Sequence, residues 1–113
     1  MKNVTLSVAS REDIDRRVAA AFRGEDQGAH ISFASVDLLW RTLTKKRWEI
    51  LRAMTGAGEM SIREVARRVD RDVKAVHGDV TALIQAGVLE RGETGVVFPY
   101  DEVRVDFRLT KAA

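Results

Sequence analysis

The chain has 113 residues, of which 45% are hydrophobic, a formal net charge of only +2 and no cysteine. This length suits one domain with a modest core, and the lack of cysteine excludes a disulfide framework and a thiolate zinc site. The sequence shows no signal peptide and no apolar run of membrane length, so we expect a soluble, cytoplasmic protein without a membrane partner.

Positive charge is concentrated in the middle of the chain. Residues 1–34 hold five cations and five anions, residues 35–87 hold ten and seven, and residues 88–113 hold four and five. An excess of cations in one segment is compatible with binding to nucleic acid. Because the excess is small, we expect modest and salt-sensitive non-specific affinity.

The sequence lacks the motifs of catalysis. It has no Gly-rich phosphate loop, no H-E-x-x-H, no nucleophile elbow and no clustered set of histidines and carboxylates. His30 is one of two histidines in a chain without cysteine, so a metal site is not expected. We therefore predict a protein that is not an enzyme and that needs no cofactor.

Residues 1–34 predict a short strand–helix–strand extension. Apolar residues alternate over residues 4–8, Ser10 to Asp13 forms a capping box, and residues 30–33 read as a second strand. The extension is too small to hold its own core, so it should pack on the rest of the chain, on a second copy or on another protein. An apolar stripe marks the intervening helix at Ile14, Val18 and Phe22.

Two helices are predicted over residues 35–55. Ser35 can cap a short helix that ends at Leu43, and Thr44 can cap a longer one that turns Trp48, Leu51 and Met54 inward. Trp40 and Trp48 could stack on single-stranded bases, but tryptophans among leucines are more typical of core or dimer contacts.

The second of these helices begins with three cations, Lys45, Lys46 and Arg47. Positive charge at a helix N-terminus opposes the helix dipole. We therefore consider these residues for phosphate or partner contacts, with a solvated basic turn as the alternative.

Residues 60–87 carry the most informative pattern, which is two helices joined by a tight turn. Ser61 and Glu64 form an S-x-x-E capping box, Asp72 is a good N-cap for the second helix, and Gly87 is its stop. The apolar face of the second helix comprises Val73, Val76, Val80, Leu83 and Ile84.

A hairpin and a further strand follow Gly87. The segments 88–91 and 96–98 read as two strands, and Gly92 and Gly95 between them are expected to supply positive φ angles. Alternating apolar residues then predict a strand from Val103 to Leu109.

This order of elements predicts an α+β fold: a winged helix-turn-helix, with a three-helix core and a β-hairpin wing, in residues 35–113 after the extension of residues 1–34. Such a module lays its second helix in the major groove of double-stranded DNA. The residues expected to contact DNA are Ser61, Arg63, Arg71, Lys74, Ala75, His77, Gly78, Thr81 and Arg91.

The runs LTKKRWEILRAM, MSIREVARRVDRDVKAVHGDVTALIQAGVLERG and VVFPYDEVRVDF resemble winged-helix regulators related to the MarR and ArsR groups. In particular, they are similar to small prokaryotic DNA-binding proteins that are often encoded as antitoxins beside a toxin gene. The resemblance covers about residues 31 to 109, and Gly78 departs from the polar residue common at its position. The most specific part of the resemblance is the stretch matched by Arg71, Asp72, Lys74, Val76, His77 and Asp79.

The resemblance implies a homodimeric regulator that binds its own operator, with a cognate toxin protein as a further partner. The leading hypothesis is thus a transcriptional regulator, the antitoxin and autorepressor of a toxin–antitoxin pair. One alternative is a winged-helix interaction module that binds a partner protein, without DNA, through residues 1–34 and the strand at 103–109. Another is a phage or plasmid repressor that has no toxin.

Overall fold

The computed structural model describes residues 2–25, 28–108 and 111, and these residues form an α+β fold. None of the described helices is long and apolar enough to cross a membrane. In chain order, the elements are β1 (Asn3–Val8), α1 (Arg11–Phe22), β2 (Ala29–Phe33), α2 (Val36–Thr42), α3 (Lys45–Met54), α4 (Ile62–Val69), α5 (Val73–Gln85), β3 (Glu90–Arg91), β4 (Val96–Val97) and β5 (Glu102–Asp106).

Each helix begins at the polar cap that the sequence predicts. In every case the cap's side-chain oxygen accepts a hydrogen bond from the backbone N–H three residues later, which satisfies one of the free donors of the first turn. The predicted helix starts are therefore confirmed. The five caps are Ser10, Ser35, Thr44, Ser61 and Asp72.

The capping box predicted at Ser61 is only half formed. Glu64 donates its backbone N–H to the Ser61 hydroxyl at 3.1 Å, but its carboxylate accepts from Arg67 and Arg68 instead of reaching back to Ser61. Hydrogen bonds from these two arginines hold the pKa of Glu64 at about 2. The Glu64 carboxylate therefore binds the charged side chains of Arg67 and Arg68, one turn further along the helix, in preference to the neutral backbone N–H of Ser61.

The three longer strands form a parallel sheet in the order β2-β1-β5. The strand predicted at 103–109 is thus Glu102–Asp106, and Leu109 lies outside the described residues. Paired residues point to one face, so Leu6, Ile31 and Val105 share the apolar face, while Thr5 belongs to the polar face.

Residues 2–25 and 28–34 pack on the rest of the chain through this sheet. Val4, Leu6 and Phe33 are at most 4% exposed and belong to the same core cluster as the helices. The other buried members of that cluster are Leu39, Leu43, Ile50, Leu51, Met54, Met60, Val65, Ala66, Val76, Val80, Leu83, Val88, Leu89, Val96 and Phe98.

The apolar stripe predicted on α1 faces solvent. Ile14 and Val18 are 43% and 49% exposed, and Phe22 is 88% exposed. The helix instead buries Ala20 and directs Arg17 to the Ser32 hydroxyl at 3.0 Å. Ser32 lies on the polar face of the sheet. Because α1 contacts that face through Arg17, its polar side is turned to the sheet and its apolar stripe to solvent.

The hairpin of β3 and β4 is fastened to the segment that precedes α4. Met60 exchanges two backbone hydrogen bonds with Val96, at 2.9 and 2.8 Å, and so adds a third short strand position. Glu59 accepts hydrogen bonds from the backbone and side chain of Thr94 at the hairpin tip, and these bonds lower the pKa of Glu59.

The glycines of this hairpin serve a purpose other than the predicted one. Gly92 and Gly95 are absent from the glycines with positive φ, so the expectation of left-handed backbone there is wrong. A Cβ at Gly95 would overlap the Met60 carbonyl oxygen, and one at Gly92 would overlap the Glu59 carboxylate. Close approach of the hairpin to residues 59–60 is what requires glycine.

Gly95→Ala should therefore destabilise the protein by about 1–3 kcal/mol, because the obstructing atoms at Met60 are backbone and cannot swing away. Gly92→Ala meets the flexible end of Glu59 and should cost about 1 kcal/mol, the value of the hydrogen bonds it displaces. Urea unfolding of both variants measures the difference. Equal losses, or none at Gly95, would contradict this account of the hairpin.

Candidate nucleic-acid interface

The turn between α4 and α5 is set by local backbone chemistry. Asp70 ends α4 in the left-handed conformation with φ of 55°, which aspartate tolerates better than most residues. Arg71 then donates its backbone N–H to the Ala66 carbonyl at 3.0 Å, and Asp72 caps α5. Only three residues separate the helices, so the direction of α5 relative to α4 is closely defined.

The carboxylate of Asp79 binds two arginines from other segments. Its Oδ1 accepts from Arg47 Nε at 3.0 Å, and its Oδ2 accepts from Arg71 Nη2 at 2.8 Å. The Asp79 and Arg71 side chains are 19% and 16% exposed, so water screens this contact only partly. Arg47 also donates to the Thr42 carbonyl at 3.2 Å, which extends the network to the end of α2.

The network holds Asp79 in its charged form. Partial burial acts to raise the pKa of Asp79, but the hydrogen bonds and positive charge of Arg71 and Arg47 outweigh it, and the pKa lies below its ordinary value of 3.8. The structure thus places Arg47 and Arg71, both expected to contact phosphate or DNA, in a partly buried ion-pair network. Within the described residues, Arg71 Nη1 is buried and has no hydrogen-bond acceptor.

The other residues predicted on α5 form its outward face. Lys74, Ala75, His77 and Gly78 are exposed and Thr81 is half-buried, while Val76, Val80 and Leu83 anchor the opposite side. A Cβ at Gly78 would meet no atom within 4 Å, so packing gives no reason for glycine at this position.

Two residues at the edges of this face differ from the sequence prediction, which omits Gln85 and assigns Val73 to the buried side. Gln85 is exposed and follows Lys74, Gly78 and Thr81 at helical spacing, a signal that was available in the sequence. Val73, expected on the buried face, is 42% exposed because it occupies the first position of α5, ahead of the turns that pack on the core.

Further residues of the predicted interface, most of them cations, lie on α3, α4 and β3, and α3 and α4 contact α5. Ser61 and Arg63 lie at the exposed start of α4, and Arg91 is exposed on β3. Lys45 and Lys46 are exposed in the first turn of α3, where Lys45 also borders an apolar groove. Arg67 and Arg68 on α4 are partly neutralised by Glu64.

Asp79→Asn should lower the free energy of unfolding at pH 7 by about 1–3 kcal/mol, because it leaves two arginines short of their charged acceptor. The lowered pKa also fixes the sign of the pH dependence. The stabilisation is complete above the ordinary carboxyl pKa of 3.8 and is lost as pH falls through the lower folded value.

The difference in stability between wild type and Asp79→Asn, as measured by urea unfolding, should therefore stay constant from pH 7 down to about 5 and shrink as pH falls below 3.8. Asp15→Asn removes an exposed carboxylate on α1 and is the matched control. A difference that does not change with pH would contradict the assigned role of the Asp79 charge.

Among residues 2–25, 28–108 and 111, no three His, Cys, Asp or Glu side chains are grouped so that they could hold a metal ion. No curated protein matches the chain, and no solved structure matches it. One family model matches residues 42–105, which is more than half of the chain and includes the last residue of α2, all of α3 to α5, the hairpin and most of β5. The chain therefore belongs to the HVO_A0114 family.

Proposed function

We propose that this protein is a sequence-specific regulator that binds double-stranded DNA through a winged helix-turn-helix. In this proposal α3, α4 and α5 form the three-helix core, α5 is the recognition helix, and the hairpin of β3 and β4 is the wing. The pairing of Met60 with Val96 supports the proposal, because it fixes the hairpin against the start of α4.

The outward face of α5 is the observation that carries the proposal. An exposed helical glycine costs stability, and Gly78 has neither a steric neighbour nor a positive φ that would explain it. Close approach of the helix backbone to a groove does explain it, since Gly78 and Ala75 leave room for base edges. Lys74, His77 and Thr81 lie around this gap and supply hydrogen-bonding groups.

The surrounding cations would bind the phosphate backbone. Arg63 and the first amides of α4 after Ser61 suit one strand of the duplex, because a helix N-terminus favours an anion. Arg91 on the wing suits a phosphate or the minor groove. Lys45 and Lys46 begin α3, where a phosphate would offset their conflict with the helix dipole.

Arg71 and Arg47 take a positioning role in this proposal. Their guanidinium groups are bonded to Asp79, so a direct base contact would require one of these ion pairs to open. By holding the turn and α3 against α5, they determine where Lys74 and His77 stand relative to the rest of the surface.

The proposal is tested by titrating the full chain into a fluorescent duplex of its own upstream DNA at two salt concentrations, beside a scrambled duplex. We expect tighter binding to the upstream duplex and a clear loss of affinity at the higher salt. Equal, weak binding to both duplexes would overturn sequence-specific regulation.

Lys74→Ala should weaken binding to all duplexes by about tenfold at 0.1 M salt and should lower the slope of log affinity against log salt by about one for each bound protomer. The loss follows from one phosphate contact removed from the exposed face of α5. Arg11→Ala removes a cation from the exposed start of α1 and is the control. An unchanged affinity and slope for Lys74→Ala would remove this residue from the interface.

Gly78→Ala should stabilise the protein by about 1 kcal/mol while weakening binding to the upstream duplex by about tenfold, within the usual range for one lost base contact. The two effects have opposite signs because the methyl group favours the helix and fills the space left for DNA. Thermal unfolding and the duplex titration measure them on the same sample. Stabilisation without weaker binding would show that DNA does not approach Gly78.

The narrower prediction, an antitoxin that represses its own operon, rests on the resemblance of residues 31 to 109 alone. The alternative, a module that binds only protein, is best tested on the exposed stripe of α1. Deletion of residues 1–34 is unsuitable for that test, because it removes β1 and β2 from the sheet and three side chains, Val4, Leu6 and Phe33, from the core. Phe22→Ser is a milder change, since the ring is 88% exposed.

A further inference from the structure

Strand β5 has an open edge. It pairs with β1 on one side, and no other strand of the described residues lies on its second side. An uncovered strand edge presents unpaired N–H and C=O groups and is a template for pairing with another chain. Proteins often use charged residues to keep such an edge from pairing with another chain. The charges along β5 therefore have to be compared with those of an opposing strand, because like charges opposite each other prevent pairing and opposite charges favour it.

The sequence from Glu102 to Arg108, EVRVDFR, is self-complementary when it is laid antiparallel to itself about Val105. Each residue then stands opposite one of matching chemistry, since opposite charges and apolar pairs across strands are stabilising. The opposing pairs are Glu102 with Arg108, Val103 with Phe107, Arg104 with Asp106, and Val105 with itself.

Neighbouring registers lack this property. Centring the pair on Arg104 places that residue opposite itself and Glu102 opposite Asp106, and centring it on Asp106 opposes Arg104 to Arg108. Like charges directly opposite each other are destabilising. A shift by a single residue places apolar side chains opposite charged ones on the same face. The registers about Val103 and Phe107 also oppose opposite charges, but each aligns only three of the seven residues of this segment, whereas the register about Val105 matches all seven.

Exposed aromatic surface lies at the same edge. Trp40 and Phe107 are 54% and 38% exposed and contact each other edge to face, with ring centroids 5.7 Å apart. They border an apolar groove of about 590 Å³ that is also lined by Trp48 and Val105. Val103 and Val105 alternate with charged residues along β5, so an added strand would extend the sheet's apolar face beside this groove.

We propose that two copies of this chain form a two-fold dimer through antiparallel pairing of β5 with the β5 of the partner subunit, in the register that places Val105 opposite itself. The result is a continuous six-stranded sheet with ion pairs on one face and the two aromatic grooves brought together on the other. The inference rests on the proposed function in that it supplies the homodimer expected of such a regulator, but it is tested without DNA.

The test is a charge swap read out by sedimentation equilibrium of the full chain. Wild type should approach twice the 12.6 kDa chain mass. Arg104→Asp and Asp106→Arg each place like charges opposite each other twice and should raise the dimer dissociation constant about tenfold. The double variant Arg104→Asp/Asp106→Arg restores both cross-strand ion pairs and should return the constant to within about threefold of wild type.

Arg11→Asp makes the same change of charge on exposed α1 and should leave the mass unchanged. Circular dichroism confirms that each variant is folded, which is expected because Arg104 and Asp106 are exposed. A monomeric wild type, single variants that dimerise as well as wild type, or a double variant as weak as the singles would each overturn the proposal. The duplex titration is separate, so a monomer that binds DNA would end the dimer proposal and leave the proposed function standing.

Discussion

The carboxylate of Asp79 joins the three segments on which the candidate interface depends. It lies on α5, and its two oxygens hold Arg47 from α3 and Arg71 from the turn. This group of one carboxylate and two guanidinium groups stabilises the fold only when all three members are present. Removal of any one of them leaves a charge without its partner at a site that is only partly exposed to water. The orientation of α5, and with it the outward position of Lys74 and His77, therefore depends on this contact as well as on the apolar core below.

Much of the fold could be predicted from the sequence because its signals are local. Caps at Ser35, Thr44, Ser61 and Asp72 and the left-handed Gly87 mark boundaries through contacts within one turn of the chain. The parallel pairing of β1 with β5 was not predictable in this way, because its partners lie about 100 residues apart and neither strand encodes the identity of its neighbour. The same limit explains the error at Gly95, where glycine is required by Met60, 35 residues earlier.

The candidate site shows the same division between local and distant information. Helical spacing identified Lys74, His77 and Gly78 as outward-facing and would equally have identified Gln85. Spacing alone does not distinguish an arginine that faces solvent from one bound to a distant carboxylate, so the ion pairs of Arg71 and Arg47 with Asp79 are not predictable from the sequence. Charge composition also overstated the free positive surface, because Glu64 on the same helix pairs with two of the arginines of α4.

Binding of DNA to the outward face of α5 can be measured by amide chemical-shift mapping of the full chain during titration with the upstream duplex. We expect the largest shifts at residues 61–63 and 74–81, with small shifts on α1. Large shifts confined to α1 or the β5 edge, or none on α5 at saturating duplex, would contradict it.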